Sequence, residues 1–205
     1  MAKNSMPDLI GSSLERAVDC FRNGGIVAFP TETYYGLAVD PDSCSAISEL
    51  YKIKNREAGK PLLLLIAERE QLNDLVERIP PEFIPLMDKF WPGPLTLVFP
   101  AKKEVCRQLT GETGTIGVRI SSHPLANALA KKIGKPITAT SANISGLQPP
   151  TKPSEVLRMF GTHLNYIIDG GETPGGLCST VLGVRQGRCI VLRPGQIDLS
   201  GELRE

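Results

Sequence analysis

Residues 30–36 (PTETYYG) carry the first side chains that could bind a ligand, because they follow directly on the apolar run 26–29. Thr31 and Thr33 supply hydroxyls, and Glu32 supplies a carboxylate, at the predicted end of a strand. Such strand ends are a common place for small polar ligands to bind. A capped turn uses the same residue types, so a binding segment and an ordinary turn both remain open here.

A basic cluster at 52–56 (KIKNR), followed by Lys60, could bind phosphate. We expect an extended loop in which Lys54 and Arg56, two positions apart, point the same way. The guanidinium would hold phosphate oxygens as a planar fork and the ammonium as a point charge. A solvated helix end is the alternative interpretation. The glycine-rich pattern of a P-loop is absent from the sequence.

Arg119 lies within the apolar segment 115–121 (TIGVRIS), which reads as a buried strand. A buried guanidinium is costly unless an anion or a carboxylate pairs with it. Either an internal salt bridge or a bound ligand must therefore satisfy Arg119.

A fourth polar segment, 138–146 (TATSANISG), follows a short predicted strand. Its hydroxyl and amide groups could hold a ribose or phosphates without adding charge. The same residues also form ordinary tight turns, so this segment is a weak signal by itself.

The elements that position these segments alternate between helical and strand patterns, which predicts an α/β or α+β domain built on one twisted sheet. Helices are predicted after Ser12 or Ser13, after Ser43, and at 69–77, 81–90, 124–133 and 154–160. Strands are predicted at 26–29, 62–66, 95–99, 116–120, 137–139, 166–168, 180–184 and 189–192.

Composition narrows the class of protein. The 205 residues fit one domain over 1–205. Because the net charge is only +1, any nucleic acid would have to bind to a local basic patch.

The longest apolar stretch, 62–67, is too short to cross a membrane, and the start resembles no signal peptide, so we expect a cytoplasmic protein. Five cysteines without a C-x-x-C pair, beside two histidines, favour buried, reduced thiols over a zinc site or disulfides.

Taken together, the motifs resemble the YrdC-like family of threonylcarbamoyl-AMP synthases. The P-T-E-T-x-Y-G-L, K-x-R, G-x-V-R, S-x-N, S-T-V and L-R-P-G segments occur in the family's order, and the resemblance covers about 10–198. It implies a twisted mixed sheet flanked by helices around a large basic cavity. It also implies a nucleotidyltransferase that converts L-threonine, bicarbonate or CO2, and ATP with Mg²⁺ into threonylcarbamoyl-AMP and pyrophosphate for tRNA modification.

The resemblance also assigns roles to individual residues. The catalytic residues would be Lys54, Arg56, Ser141 and Asn143; ATP would be bound by Arg56, Lys60, Thr115, Ser141, Asn143 and Arg193; and L-threonine by Thr31, Arg119, Ala139 and Ser179. No protein residue is expected to bind a metal. Leu65 stands where some members have histidine, which leaves the affinity for threonine open.

The resemblance also implies partner proteins, and two alternative functions remain open. The adenylate would pass to downstream tRNA threonylcarbamoyl-transferase proteins, and weak RNA binding by the chain itself is open. Residues 1–11 and 195–205 are candidates for a lid. A double-stranded-RNA-binding or ribosome-maturation module is one rival function, and a divergent relative with altered carbamoyl-adenylate chemistry is the other.

Overall fold

A computed structural model of the chain describes residues 9–57 and 59–202. The helices of this part are α1 (Leu14–Arg22), α2 (Cys44–Ile53), α3 (Leu72–Leu75), α4 (Ile84–Phe90), α5 (Arg107–Thr110), α6 (Pro124–Ile133) and α7 (Pro153–Phe160). The strands are β1 (Ile10–Gly11), β2 (Val27–Phe29), β3 (Gly36–Ala38), β4 (Leu63–Leu65), β5 (Leu95–Pro100), β6 (Thr115–Arg119), β7 (Ile137–Thr138), β8 (Thr140–Ser141), β9 (Tyr166–Ile168), β10 (Thr180–Arg185) and β11 (Arg188–Arg193).

The strands form two mixed sheets flanked by helices. One has the order β1, β9, β2, β3, β8, and the other has the order β11, β10, β5, β6, β4, β7. Both contain parallel and antiparallel pairs, such as β2 with β9 and β2 with β3 in the first. The predicted mixed α/β class is confirmed, whereas the expectation of one sheet is wrong.

The chain passes from one sheet to the other at Ala139. β7 pairs with β4 in the six-stranded sheet, and β8 pairs with β3 in the five-stranded sheet. The Ala139 amide donates to the Leu63 carbonyl at 2.8 Å, and the Thr138 hydroxyl accepts from the Val39 amide at 2.8 Å. Because a single residue makes the crossing, no turn residue or break in the apolar pattern marks it.

Helix starts follow the predicted capping chemistry. The Ser13 hydroxyl accepts from the Arg16 amide at 3.2 Å, and the Ser43 hydroxyl accepts from the Ala46 amide at 3.3 Å. The apolar face of α2, with Ala46, Ile47 and Leu50, is buried in the larger core cluster. The segment 69–77 forms only a 3₁₀ turn and the four-residue α3, so the longer predicted helix there is wrong.

Alternation along β5 and β6 separates a core face from a polar face. Leu97, Phe99 and Val118 are fully buried in the core, whereas Thr96 and Arg119 lie at positions that point to the opposite face. The polar face of the six-stranded sheet is therefore the one that can present groups to a ligand.

Several other expectations need correction. α2 continues to Ile53, Lys54 is its C-cap with helical backbone angles, and Asn55 has a φ of 47°, so 52–56 is not an extended loop. None of the five cysteines is fully buried. No helix among the described residues is both long and apolar enough to cross a membrane.

The lid candidates are also constrained. Residues 1–8 and 203–205 lie outside the described part of the chain. β1 pairs with β9, and Leu199 is buried in the larger core cluster. The Gln196 amide donates to the Cys178 carbonyl at 2.9 Å. The described parts of both candidates are therefore packed into the fold.

Candidate functional site

A cavity of about 240 Å³ opens between the two sheets. Three arginines from different elements reach it, and hydroxyls from both sheets share its wall. Its lining residues include Thr31, Thr33, Tyr34, Tyr35, Arg56, Leu63, Arg119, Ala139, Thr140, Ser141, Cys178, Ser179 and Arg193. Such a surface fits anionic, hydroxyl-bearing ligands.

Most of the predicted site residues meet at this cavity. Those in its lining are Thr31, Arg56, Arg119, Ala139, Ser141, Ser179 and Arg193. Lys54 and Asn143 are buried behind the wall, with 2% and 8% of their surfaces exposed. Lys60 points to solvent and pairs with Glu57 at 2.9 Å. The structure thus brings together residues that are up to about 160 positions apart in the sequence.

Thr115 lies on the same face of β6 as Arg119, four residues away, or about 13 Å along the strand. It lines a second cavity, of about 470 Å³, together with Val98, Gly183 and Leu192. A ligand that contacts both Thr115 and the arginines must extend along the sheet.

Arg119 forms a buried ion pair with Glu32. Its Nη1 donates to Glu32 Oε1 at 2.6 Å, and the side chains are only 7% and 13% exposed. The Ser121 hydroxyl donates to the other carboxylate oxygen of Glu32. The internal salt bridge, one of the two alternatives for Arg119, is therefore present. Since a guanidinium has five N–H donors, the bond to Glu32 leaves others for a ligand.

Ser179 is held by two neighbours at the floor of the cavity. Its hydroxyl lies 2.9 Å from that of Thr96, and Arg193 Nη2 donates to it at 3.0 Å and to the Ser179 carbonyl at 2.9 Å. Thr96 is fully buried, so it positions Ser179 from behind. Partial desolvation of the guanidinium lowers the pKa of Arg193, with Arg119 nearby as a further cause, although the residue as a whole is exposed.

Lys54 fastens the end of α2 to the turn that follows β8. Its Nζ donates to the Ser141 carbonyl and, at 2.6 Å, to the Asn143 carbonyl. Burial and the nearby Arg56 lower the pKa of Lys54 to about 7. Lys54 is buried behind the cavity wall, whereas Arg56 lines the cavity, so Arg56 is the one of the two that is placed to contact a phosphate there.

Asn143 uses its side chain within the same turn. The Ser141 hydroxyl donates to Asn143 Oδ1 at 2.5 Å, and Nδ2 donates to the carbonyls of Ile144 and Leu147 at 2.9 and 2.7 Å. These bonds fix the rotamer of Ser141, whose side chain lines the cavity.

Arg56 has an unused donor. Its Nη2 donates to the Pro61 carbonyl at 2.8 Å, while its buried Nε has no hydrogen-bond partner among the described residues. An unsatisfied buried N–H is costly, typically by about 1–3 kcal/mol. An anion in the cavity could accept from Arg56 and offset this cost.

Several residues beside the cavity were not predicted as site residues, and three of them are Glu32, Thr96 and Cys178. Glu32 was noticed in the first polar segment but was not assigned to the site, although it pairs with Arg119. Thr96 lies in an apolar run, where a lone threonine carries no signal, and Cys178 directly precedes Ser179. Only Glu32 could have been found, as the carboxylate that the buried arginine required.

Comparison with known proteins agrees with the fold. The family model described as Telomere recombination, which covers Sua5, YciO and YrdC, matches residues 19–195. The chain belongs to this Sua5–YciO–YrdC family, so the resemblance seen in the motifs is confirmed.

Individual relatives are similar over most of the chain. Threonylcarbamoyl-AMP synthase of Pyrococcus abyssi is 42% identical over 194 residues, which are 92% of this chain and 57% of that protein. The Coxiella burnetii protein of the same name is 39% identical over 163 residues, or 79% of this chain and 87% of the relative. The crystal structure of P. abyssi Sua5 complexed with L-threonine superimposes with a TM-score of 0.88 at 41% identity, covering 92% of this chain and 55% of that one. This chain therefore spans little more than half of the length of its P. abyssi relative.

The ion pair predicts a large cost for removing its carboxylate. Glu32→Gln leaves the Arg119 guanidinium buried without a counter-charge, so we expect a loss of roughly 2–4 kcal/mol in the free energy of unfolding. The matched control is Glu57→Gln, which removes the exposed partner of Lys60 and should cost less than about 1 kcal/mol. Urea denaturation measures the free energy of unfolding of both variants. Equal losses would show that the buried ion pair contributes no more to stability than the exposed one.

The lowered pKa of Lys54 predicts a pH effect of definite sign. Between the folded pKa of about 7 and the ordinary value of 10.5, the unfolded chain binds more protons at Lys54 than the folded chain does. Stability from this group therefore rises with pH across that window and is lost as pH falls toward 7. The free energy of unfolding of the native protein, relative to that of Lys54→Met, should increase by roughly 1–3 kcal/mol from about pH 7 to about pH 9.

Urea denaturation at the two pH values checks this expectation, with Lys103→Met at an exposed position as the control. If the difference in the free energy of unfolding between the native protein and Lys54→Met is the same at both pH values, as we expect for the control, Lys54 remains fully charged in the folded protein.

Proposed function

We propose that this chain is a threonylcarbamoyl-AMP synthase, which joins L-threonine, bicarbonate and ATP to give threonylcarbamoyl-AMP and pyrophosphate. The observation that carries the proposal is the convergence of Arg56, Arg119 and Arg193 with serine and threonine hydroxyls on one cavity between the sheets. The relatives named for this activity, and the P. abyssi Sua5 structure with L-threonine, support it.

In this proposal, Arg119 binds the threonine carboxylate. Its bond to Glu32 holds the guanidinium in place before the substrate arrives, so little ordering remains to be done on binding. Thr31, Ala139 and Ser179 complete the threonine site. The Thr31 hydroxyl already bonds the Tyr34 carbonyl and Thr33, so the Ser179 hydroxyl is the group that would bond the hydroxyl of the substrate. Valine lacks that hydroxyl and would be disfavoured. Leu65 is fully buried and is not in the cavity lining, so it makes no polar contact to threonine.

ATP would place its phosphates at Arg56, Arg193 and Ser141. The cavity of about 240 Å³ is smaller than the ~300–1,000 Å³ typical of pockets for drug-sized ligands, so ATP would extend beyond it. The second cavity lies on the same face of the sheet, and Thr115 in its wall would contact the nucleotide there. Lys60, exposed on the loop beside Pro61, would reach the phosphates from solvent.

The reaction then proceeds in two bond-forming steps. The amine of threonine adds to CO2, released from bicarbonate, and loses a proton to give a carbamate. A carbamate oxygen attacks the α-phosphorus of ATP, and the bond from that phosphorus to the bridging oxygen breaks, so pyrophosphate leaves. Arg56 and Arg193 stabilise the charge on the phosphoryl oxygens, and the cavity holds carbamate and α-phosphate close together.

Lys54 and Asn143 act in this scheme as positioning residues. Their hydrogen bonds hold the turn that presents the Ser141 hydroxyl to the phosphates. Mg²⁺ would neutralise phosphate charge when bound. The described residues contain no cluster of three or more metal-ligating side chains, and Glu32 is already paired, so phosphate oxygens of ATP would supply its ligands.

Other proteins would use the threonylcarbamoyl-AMP that this chain makes. We propose that the adenylate passes to cytoplasmic transferases that place the threonylcarbamoyl group on tRNA. This role needs no extended RNA surface on the chain itself, in keeping with a net charge of +1.

Release of pyrophosphate by purified protein tests the activity. ATP, magnesium and bicarbonate are supplied with L-threonine, L-serine, L-valine or no amino acid. We expect release that requires both threonine and bicarbonate, with serine weaker and valine near background. Absence of release from folded protein in every mixture would contradict the synthase and favour a divergent relative or an RNA-binding module.

Arg56→Ala should reduce threonine-dependent pyrophosphate release by at least about 100-fold, because it removes a cation that stabilises the transition state. The control is Lys103→Ala, whose side chain is exposed and is not in the cavity lining, and we expect nearly native activity. Circular dichroism confirms that both variants are folded. A similar decrease in both variants would mean that Arg56 is not part of the site.

A further inference from the structure

Two cysteines that are 62 positions apart in the sequence lie side by side on the surface. The sulfurs of Cys44 and Cys106 are 3.7 Å apart, and Cys44 is exposed while Cys106 is half-buried. Cys44 is the first residue of α2, and Cys106 is the residue directly before α5. Both thiols can therefore be reached by a small reagent from solvent.

The approach of the two sulfurs is part of a built contact between α2 and the segment at 106–108. Cys44, Ser48 and Tyr51 follow one another on the same face of α2. Gln108 Nε2 donates to the Ser48 hydroxyl at 3.1 Å, and the Tyr51 hydroxyl shares its proton between the carbonyls of Lys60, at 2.5 Å, and Gln108, at 3.0 Å. The two hydrogen bonds of Gln108 keep the neighbouring cysteines at short range.

We propose that Cys44 and Cys106 form a thiol–disulfide exchange site that a small-molecule disulfide converts into an internal disulfide. The Cys44 thiolate attacks one sulfur of the reagent, forming a mixed disulfide and expelling one thiolate. The Cys106 thiolate then attacks the Cys44 sulfur and expels the second. Two protein thiols are oxidised, one reagent disulfide is reduced, and the two protons released are taken up by the two thiolates that leave.

To form the bond, the two sulfurs must move from 3.7 Å to roughly 2.0 Å apart. The hydrogen bond with Cys106 raises the pKa of Cys44, so exchange should be faster in mildly alkaline buffer. The bond would close a loop of about 60 residues and fasten α2 to the segment before α5, which should raise the melting temperature by several degrees. This site is independent of the proposed synthase activity.

The test uses the full-length protein with oxidised glutathione at mildly alkaline pH. Intact mass should fall by about 2 Da, and proteolysis without reductant should yield a peptide pair joining Cys44 to Cys106. Cys44→Ser and Cys106→Ser should instead gain glutathione on the remaining cysteine. Cys189→Ser, at a half-buried position elsewhere, is the matched control and should form the link as the native protein does.

Two results would overturn the proposal. One is a native protein in which both cysteines carry glutathione, or in which neither reacts although all five thiols titrate after unfolding. The other is an internal link between a different pair of cysteines. A reductant that reverses the mass change and the rise in melting temperature would establish that the link is a disulfide.

Discussion

The buried ion pair between Arg119 and Glu32 joins the two sheets, and the rest of the site depends on this connection. Arg119 ends β6 of the six-stranded sheet, and Glu32 follows β2 of the five-stranded sheet. Apolar side chains in their place could pack at no loss of stability, since desolvation offsets much of the attraction between buried charges. What an apolar pair would lose is a fixed cation at the cavity wall. Under the proposed function, that fixed cation is what the pair supplies.

Lys54 makes the second connection, from α2 to the turn at 141–143. Its amine can donate to both carbonyls whether it is charged or neutral, because a neutral amine keeps two N–H groups. The turn is thus held across the pH range in which Lys54 titrates, and the Ser141 hydroxyl keeps its orientation. Together, Lys54 and the Glu32–Arg119 pair set the cavity on both sides before any ligand is present.

Much of this fold could be predicted from local patterns. Helix starts were predicted at Ser12 or Ser13 and at Ser43, and Ser13 and Ser43 are the caps; the helix at 124–133 and the strand at 166–168 have the predicted bounds. The division into two sheets could not be predicted, because only Ala139 separates β7 from β8. Strand pairing depends on contacts distant in sequence, which single-sequence patterns do not contain.

The candidate site was predictable where a residue conflicts with its surroundings. Arg119 in an apolar strand demanded a partner, and the structure supplies Glu32. Lys54 gave no such signal, since a lysine near a helix end is ordinarily solvated, and its burial follows from the return of the chain at 141–143. Residues that act through a neighbour, such as Thr96 behind Ser179, become visible only when the sheet is assembled.

Between the two cavities, two leucine side chains cover part of the polar face of the six-stranded sheet. At Gly117 in β6, an added Cβ would lie 2.4 Å from the side chain of Leu63, and at Gly183 in β10 it would lie 3.0 Å from that of Leu192. The two leucines therefore lean over the glycines and cover the backbone with apolar surface. Leu192 remains 54% exposed, so this cover is partial, and Arg193 next to it is also exposed. Arg119, with 6% of its surface exposed, is the cation that lies in surroundings of lower effective dielectric than open solvent. A fixed cation in such surroundings stabilises developing negative charge more than it would on an exposed sheet face.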